Sequence, residues 1–85
     1  MHAIHIAAGL DTPSDASLVE AVLRMLAGVA DVVAVQSLGL ISVLYDEHKV
    51  GPRTILRALR SSGYDARLVR PSTLHRHTRS LRHRR

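Results

Sequence analysis

Eighty-five residues, 46% of them hydrophobic, are enough for one small domain, and a chain of this size buries only about 60% of its unfolded surface. With no cysteine there is no disulfide, no thiolate zinc site and no cysteine nucleophile. No apolar run approaches the roughly 20 residues of a membrane span, and the start of the chain lacks the basic-then-apolar pattern of a secretion signal, so the expected location is cytoplasmic. The formal charge of +5 is segregated. Residues 1–70 carry Arg24, Lys49, Arg53, Arg57, Arg60, Arg67 and Arg70 against Asp11, Asp15, Glu20, Asp31, Asp46, Glu47 and Asp65, seven against seven. Arg76, Arg79, Arg82, Arg84 and Arg85 stand unopposed beyond Pro71-Ser72. The pattern predicts a neutral folded domain over 1–70 and a basic, disordered tail over 71–85.

His2 to Ala8 alternates, with Ile4 and Ile6 on one face, and reads as a strand. Thr12 is placed to cap the helix that follows, Pro13 suits its first position, and Asp15 stands three residues after the cap. Leu18, Val19, Val22, Leu23 and Leu26 recur at helical spacing, and Gly28 supplies the left-handed residue that stops the helix. Val29 to Ser37 and Leu40 to Tyr45 read as strands joined by a tight turn at Leu38-Gly39, which requires antiparallel pairing. Pro52 opens a second helix with Ile55, Leu56 and Leu59 facing inward, Gly63 ends it, and Tyr64 to Arg70 is the last strand. The order is βαββαβ. Each helix has one apolar stripe, so both must cover the same face of a four-stranded antiparallel sheet. The expected fold is α+β and ferredoxin-like. Val33, Val35 and Leu44 fall on the other face, as a contact surface or as ordinary scattered apolar residues.

From Gly28 the chain reads GVADVVAVQSLGLISVLYDEHKVGPRTILRALRSSGYDA. The Gly28-Val29 helix exit, Val43-x-Tyr45-Asp46 and Ser62-Gly63-Tyr64-Asp65 give this stretch a layout that resembles the heavy-metal-associated domain of copper chaperones and of the N-terminal modules of metal-transporting ATPases. The resemblance covers roughly residues 4–69. Leu10 matches the family's buried Met position, Val19, Leu23 and Leu26 match its first-helix core, and Tyr64 is similar to the Tyr that lies near the metal loop. It implies a role in metal handling and a metal-transporting membrane ATPase as partner, whether the domain stands alone or forms the N-terminal part of such an ATPase.

There are two departures. The family's G-M-x-C-x-x-C loop is here Gly9-Leu10-Asp11-Thr12-Pro13-Ser14-Asp15, with Thr12 and Asp15 in the two cysteine positions. Soft Cu(I) needs sulfur ligands, and the only sulfur is in Met1 and Met25. The usual thiolate exchange is therefore not available. Ala7 also stands where the family has a branched residue, which puts the first strand out of phase by one and calls for a bulge or a shifted pairing.

Three groups of residues are candidates for chemistry. Thr12 and Asp15 form either a capping box or, with Asp11 and Tyr64, a hard oxygen site for a divalent ion. Among six histidines, His48 looks incidental, and His2 and His5 are poorly spaced for chelation, although the terminal amine with His2 can bind a divalent ion weakly. His75 and His77, helped by His83, can chelate Zn(II), Ni(II) or Cu(II), opposed by the arginines between them. Arg53, Arg57 and Arg60 fall on the solvent side of the second helix, with Lys49 just before it. Together with Arg76, Arg79, Arg82, Arg84 and Arg85 they suit a polyanion, namely nucleic acid, anionic lipid or an acidic protein, or they are a solvated helix face and a tail.

No catalytic set is present, so neither an enzyme nor a small-molecule substrate is expected. RNA-recognition domains share the βαββαβ order but stack bases on strand aromatics, and the strands HAIHIAA and LISVLY offer no stacking pair. A regulatory domain binding a ligand near Gly9 is selected by no residue. The leading expectation is a non-catalytic binding or docking module in metal handling. The alternative is non-specific nucleic-acid or anionic-membrane binding through the basic tail.

Overall fold

The structure is a computed structural model that describes residues 1–69. Its elements are β1 (His2–Ala8), α1 (Pro13–Arg24), β2 (Val29–Val35), a 3-10 turn (Gln36–Leu38), β3 (Leu40–Tyr45), α2 (Pro52–Ser61) and β4 (Ala66–Val69). The four strands form one antiparallel sheet in the order β2-β3-β1-β4. With two helices packed on it, this is the expected ferredoxin-like fold. Among the described residues no helix is long and apolar enough to cross a membrane. The boundary at residue 70 and the tail, including His75, His77, Arg76, Arg79, Arg82, Arg84 and Arg85, lie outside the described residues.

The alternation in the strands fills one face of the sheet. Cross-strand pairing aligns Ile4 with Val43 and Val32, and Ile6 with Ile41 and Ala34. Val19 and Leu23 of α1 and Ile55 and Leu59 of α2 close over these rows, and all but Ile4 and Ala34, which are half-buried, are buried. The core has no Phe or Trp and so depends on many small contributions, about 1.5–3 kcal/mol per fully buried aliphatic side chain. Val33, Val35 and Leu44 are exposed on the opposite face, as the pattern predicts.

Four local expectations are corrected. First, β2 ends at Val35 rather than Ser37, and the turn to β3 spans Gln36 to Gly39 instead of two residues. The Gln36 Nε2 amide donates to the Leu10 and Asp11 carbonyls at 3.1 and 3.2 Å, and this tertiary tie takes the chain out of the ladder. Gly39 closes the turn at φ 59, where a Cβ would meet the Ala8 carbonyl oxygen at 2.8 Å. Second, Leu18 is 50% exposed. It precedes Val19 by one residue, about 100° around the helix, and Ala16 packs against the core instead.

Third, α1 ends at Arg24, four residues before Gly28. Gly28 (φ 96) is instead the point where β2 starts beneath the 49–50 segment, and a Cβ there would lie 2.8 Å from Lys49 Cβ and 2.9 Å from Val50 Cγ1. Fourth, β1 is regular along its whole register with β3, with neither bulge nor shift, and Ala7 pairs with Leu40 and Arg67. The irregularity is in β2, between Val29 and Asp31.

Candidate functional site: the loop between the first strand and the first helix

The loop starts where β1 ends at Ala8 and is anchored by Leu10, which is buried in the core cluster. Thr12 then takes extended backbone angles and caps α1. The Asp15 amide donates to Thr12 Oγ1 at 3.2 Å, and the Thr12 amide donates back to Asp15 Oδ2 at 3.0 Å. This is a complete capping box, with Pro13 in the first turn. The Asp11 amide also donates to Asp15 Oδ2 at 3.0 Å, and the Thr12 hydroxyl lies 3.3 Å from the same oxygen.

Asp15 Oδ1 is engaged from the other side of the molecule. α2 ends in a Schellman motif: the Gly63 amide donates to the Arg60 carbonyl and the Tyr64 amide to the Leu59 carbonyl. Gly63 has the left-handed backbone this requires, φ 97. The exit delivers the Tyr64 hydroxyl to Asp15 Oδ1 at 2.8 Å. The Tyr64 hydrogen bond, then the Thr12 amide, hold the Asp15 carboxyl below its usual range, against a smaller effect of burial. The same bond to Asp15, with burial and the charges of Asp15 and Asp11, pushes the Tyr64 phenol up.

A hollow beside the cap is lined by Gly9, Asp11, Asp15, Ser62, Gly63, Tyr64 and Asp65. Asp11, Asp15 and Tyr64 are thus brought together, as a hard oxygen site would need. Both Asp15 oxygens already accept protein donors, three on Oδ2 and one on Oδ1, so an incoming cation competes with the cap and with Tyr64. The donors here are hydroxyl and carboxylate oxygens, which do not fit soft Cu(I). Among the described residues no cysteine is present.

Elsewhere, the structure separates residues that the sequence groups together. Arg53, Arg57 and Arg60 line one cleft on α2 with Leu56 and Ser61. Arg60 is a clamp rather than a free charge, since its Nε and Nη2 donate to the Ala66 carbonyl at 3.1 and 2.8 Å. His5 meets Ser42 Oγ at 2.9 Å. His48, which looks incidental in the sequence, belongs to a group with Asp46 and Glu47, and His2 reaches the same Glu47. The signal was the register of β1 against β3, which sets His2 opposite Tyr45, next to that turn.

Fold and loop together define the class: a ferredoxin-like domain that resembles heavy-metal-associated domains and is divergent in having no cysteine. No family model and no curated protein matches the sequence. Solved structures do match. A copper binding domain from HMA7, a P-type ATPase, is 21% identical at a TM-score of 0.80, over 82% of this chain and 96% of that one. The CopZ metallochaperone is 28% identical at a TM-score of 0.73, over 80% of this chain and all (100%) of its own. The N-terminal domain of PacS from Synechocystis PCC6803 is 22% identical at a TM-score of 0.74, over 82% of this chain and 100% of that one.

Proposed function

We propose that this chain is a non-catalytic binding and docking module in metal-ion handling, working in the cytoplasm with a metal-transporting ATPase, either alone or as that ATPase's N-terminal part. The reading is supported by fold likeness to a metallochaperone and to a copper binding domain of a P-type ATPase. The observation that carries it is the loop. Where the resemblance puts a thiolate pair, Thr12 and Asp15 close a helix cap that Tyr64 fastens to the far helix. The loop holds its place in the fold without the sulfur that exchanges metal. Any ion it takes is a divalent one held by the oxygens of Asp11 and Asp15 rather than Cu(I). His75 and His77 are a separate candidate pair.

The test is an amide NMR titration of the full chain with a soluble metal-binding domain of a metal-transporting ATPase. Shifts gathered at Gly9–Asp15 and Tyr64 support docking through the loop. No shift at any residue, with several such domains, overturns it.

A second reading is favoured by the arginine-lined cleft on α2. Arg53 and Arg57, with Arg76, Arg79, Arg82, Arg84 and Arg85, bind a polyanion without reading sequence. For duplex DNA each neutralised phosphate adds about −0.9 to the slope of log affinity against log salt. A salt titration of the full chain and of a 1–71 truncation, against DNA and against anionic vesicles, tests it. Equal binding by the truncation removes the tail from the reading.

A further inference from the structure

The pole of the sheet opposite the loop holds a second constellation. β1 runs from His2 at one end to Ala8 at the other, about 20 Å of extended chain. At the His2 end the register pairs His2 with Tyr45, the last residue of β3. The chain then turns through Asp46, Glu47 and His48 before α2. One donor atom from each of these three side chains lies within 4.8 Å of the others. His2 joins from the neighbouring strand, with its Nε2 3.1 Å from Glu47 Oε2. One imidazole and two carboxylates therefore converge at one turn, and a second imidazole, His2 of the neighbouring strand, reaches one of them, Glu47.

The turn is rigid. The Asp46 amide donates to the Gly28 carbonyl at 2.7 Å, and the Asp46 carbonyl accepts from the Lys49 and Val50 amides at 3.0 and 3.1 Å. Asp46 Oδ1 accepts from the His48 amide at 2.9 Å, so the side chain is folded over its own turn. Val50 is buried behind it. The side-chain donors, by contrast, are exposed or half-buried.

We infer that His2, Asp46, Glu47 and His48 form a binding site for a divalent transition ion of the Zn(II), Ni(II) or Cu(II) type. Mixed imidazole and carboxylate donors select such borderline ions over soft Cu(I) and over hard Ca(II) or Mg(II). Ligands at about 2.0–2.2 Å from one ion stand at most about 4.4 Å apart. The Asp46, Glu47 and His48 donors already stand within 4.8 Å of one another, close to that span, and His2 enters through Glu47. The Met1 amine sits 3.2 Å from Glu47 Oε1 and competes for that carboxylate. Lys49 adds an opposing charge nearby. The inference rests on these residues and not on the likeness to metal-carrying domains.

The test uses the full, isotope-labelled chain at neutral pH with substoichiometric NiCl2 or CuCl2, read by paramagnetic loss of amide signals. The expected first losses are His2–Ala3 and Asp46–Lys49 together. The double variant Glu47→Gln, His48→Ala lowers affinity at this pole by at least roughly ten-fold, the scale of losing even a supporting group of a metal site. The variant His75→Ala, His77→Ala leaves it unchanged. Glu47 and His48 are exposed, and undisturbed Ile6 and Ile41 amides verify folding. Losses confined to Met1–His2 or to the His75–His77 region overturn the site. So does broadening at 46–49 that persists in the Glu47→Gln, His48→Ala protein.

Discussion

The two poles of the sheet use similar side chains in opposite ways. At the loop pole, Thr12, Asp15 and Tyr64 consume each other. Every Asp15 oxygen accepts a protein donor, and two elements distant in sequence are fastened by one hydroxyl. At the turn pole, backbone groups hold the turn, and the side chains of His2, Glu47 and His48 stay exposed, with Glu47 meeting only the exposed Met1 amine and His2. Ligand-type residues at a position where a family binds metal are thus no guide to metal binding. What matters is whether they are tied into the bonds that hold the fold together or stand at its surface. The poles share one core, so they can be perturbed together or apart.

The largest effect comes from that shared core. Leu59→Ala removes a fully buried side chain and is expected to destabilise the domain by about 2–5 kcal/mol. Chemical denaturation should show a single transition, with amides at both poles lost together. Next, Gly28→Ala forces a side chain against Lys49 and Val50 at positive φ, a strain of about 1–3 kcal/mol. Amide shifts should concentrate at 46–50 and leave Thr12 and Asp15 unmoved. Changes centred on the loop would contradict the placement of Gly28 beneath the turn.

Thr12→Ala is smaller, about 1 kcal/mol for loss of an N-cap, and equal with and without added Zn(II). A loss that appears only with metal would make the loop a metal site after all. Smallest at neutral pH, and clearest in acid, is Tyr64→Phe. The Asp15 carboxyl is depressed below its ordinary 3.8. Its contribution is therefore complete above that value and disappears as pH falls through the folded-state value. Removing the Tyr64 hydroxyl raises that folded-state value, so the variant should show a weaker dependence of stability on pH in this acid range. An acid unfolding profile with the same slope as the parent would show that the hydroxyl does not hold Asp15.

The comparison also explains which features the sequence disclosed. Local signals were readable. Thr12-Pro13-x-Asp15 announces its own cap, and Gly63 announces the Schellman exit, because each depends only on neighbours within a turn. Ile6, Val19, Leu23, Ile55 and Leu59 were placed correctly by periodicity. Features made by tertiary contact were not readable. Gln36 leaves the strand because it binds carbonyls of the distant loop. Gly28 looks like a helix stop but serves close approach to residues 49 and 50. The irregularity expected in β1 lies in β2, since β1 is central and paired on both sides. His48 looks incidental in the sequence because His2 reaches its neighbour Glu47 only once β1 and β3 are paired.

The central claim is that the loop is closed by a cap and is not a carrier of Cu(I). The most direct measurement is a competition of the full chain against a thiolate chelator for Cu(I), followed by amide signals of Asp11 to Asp15 and by Tyr64. The account predicts that the chelator keeps the metal and that these signals stay where they are. Transfer of Cu(I) to the protein, with shifts at Thr12, Asp15 and Tyr64, would contradict it.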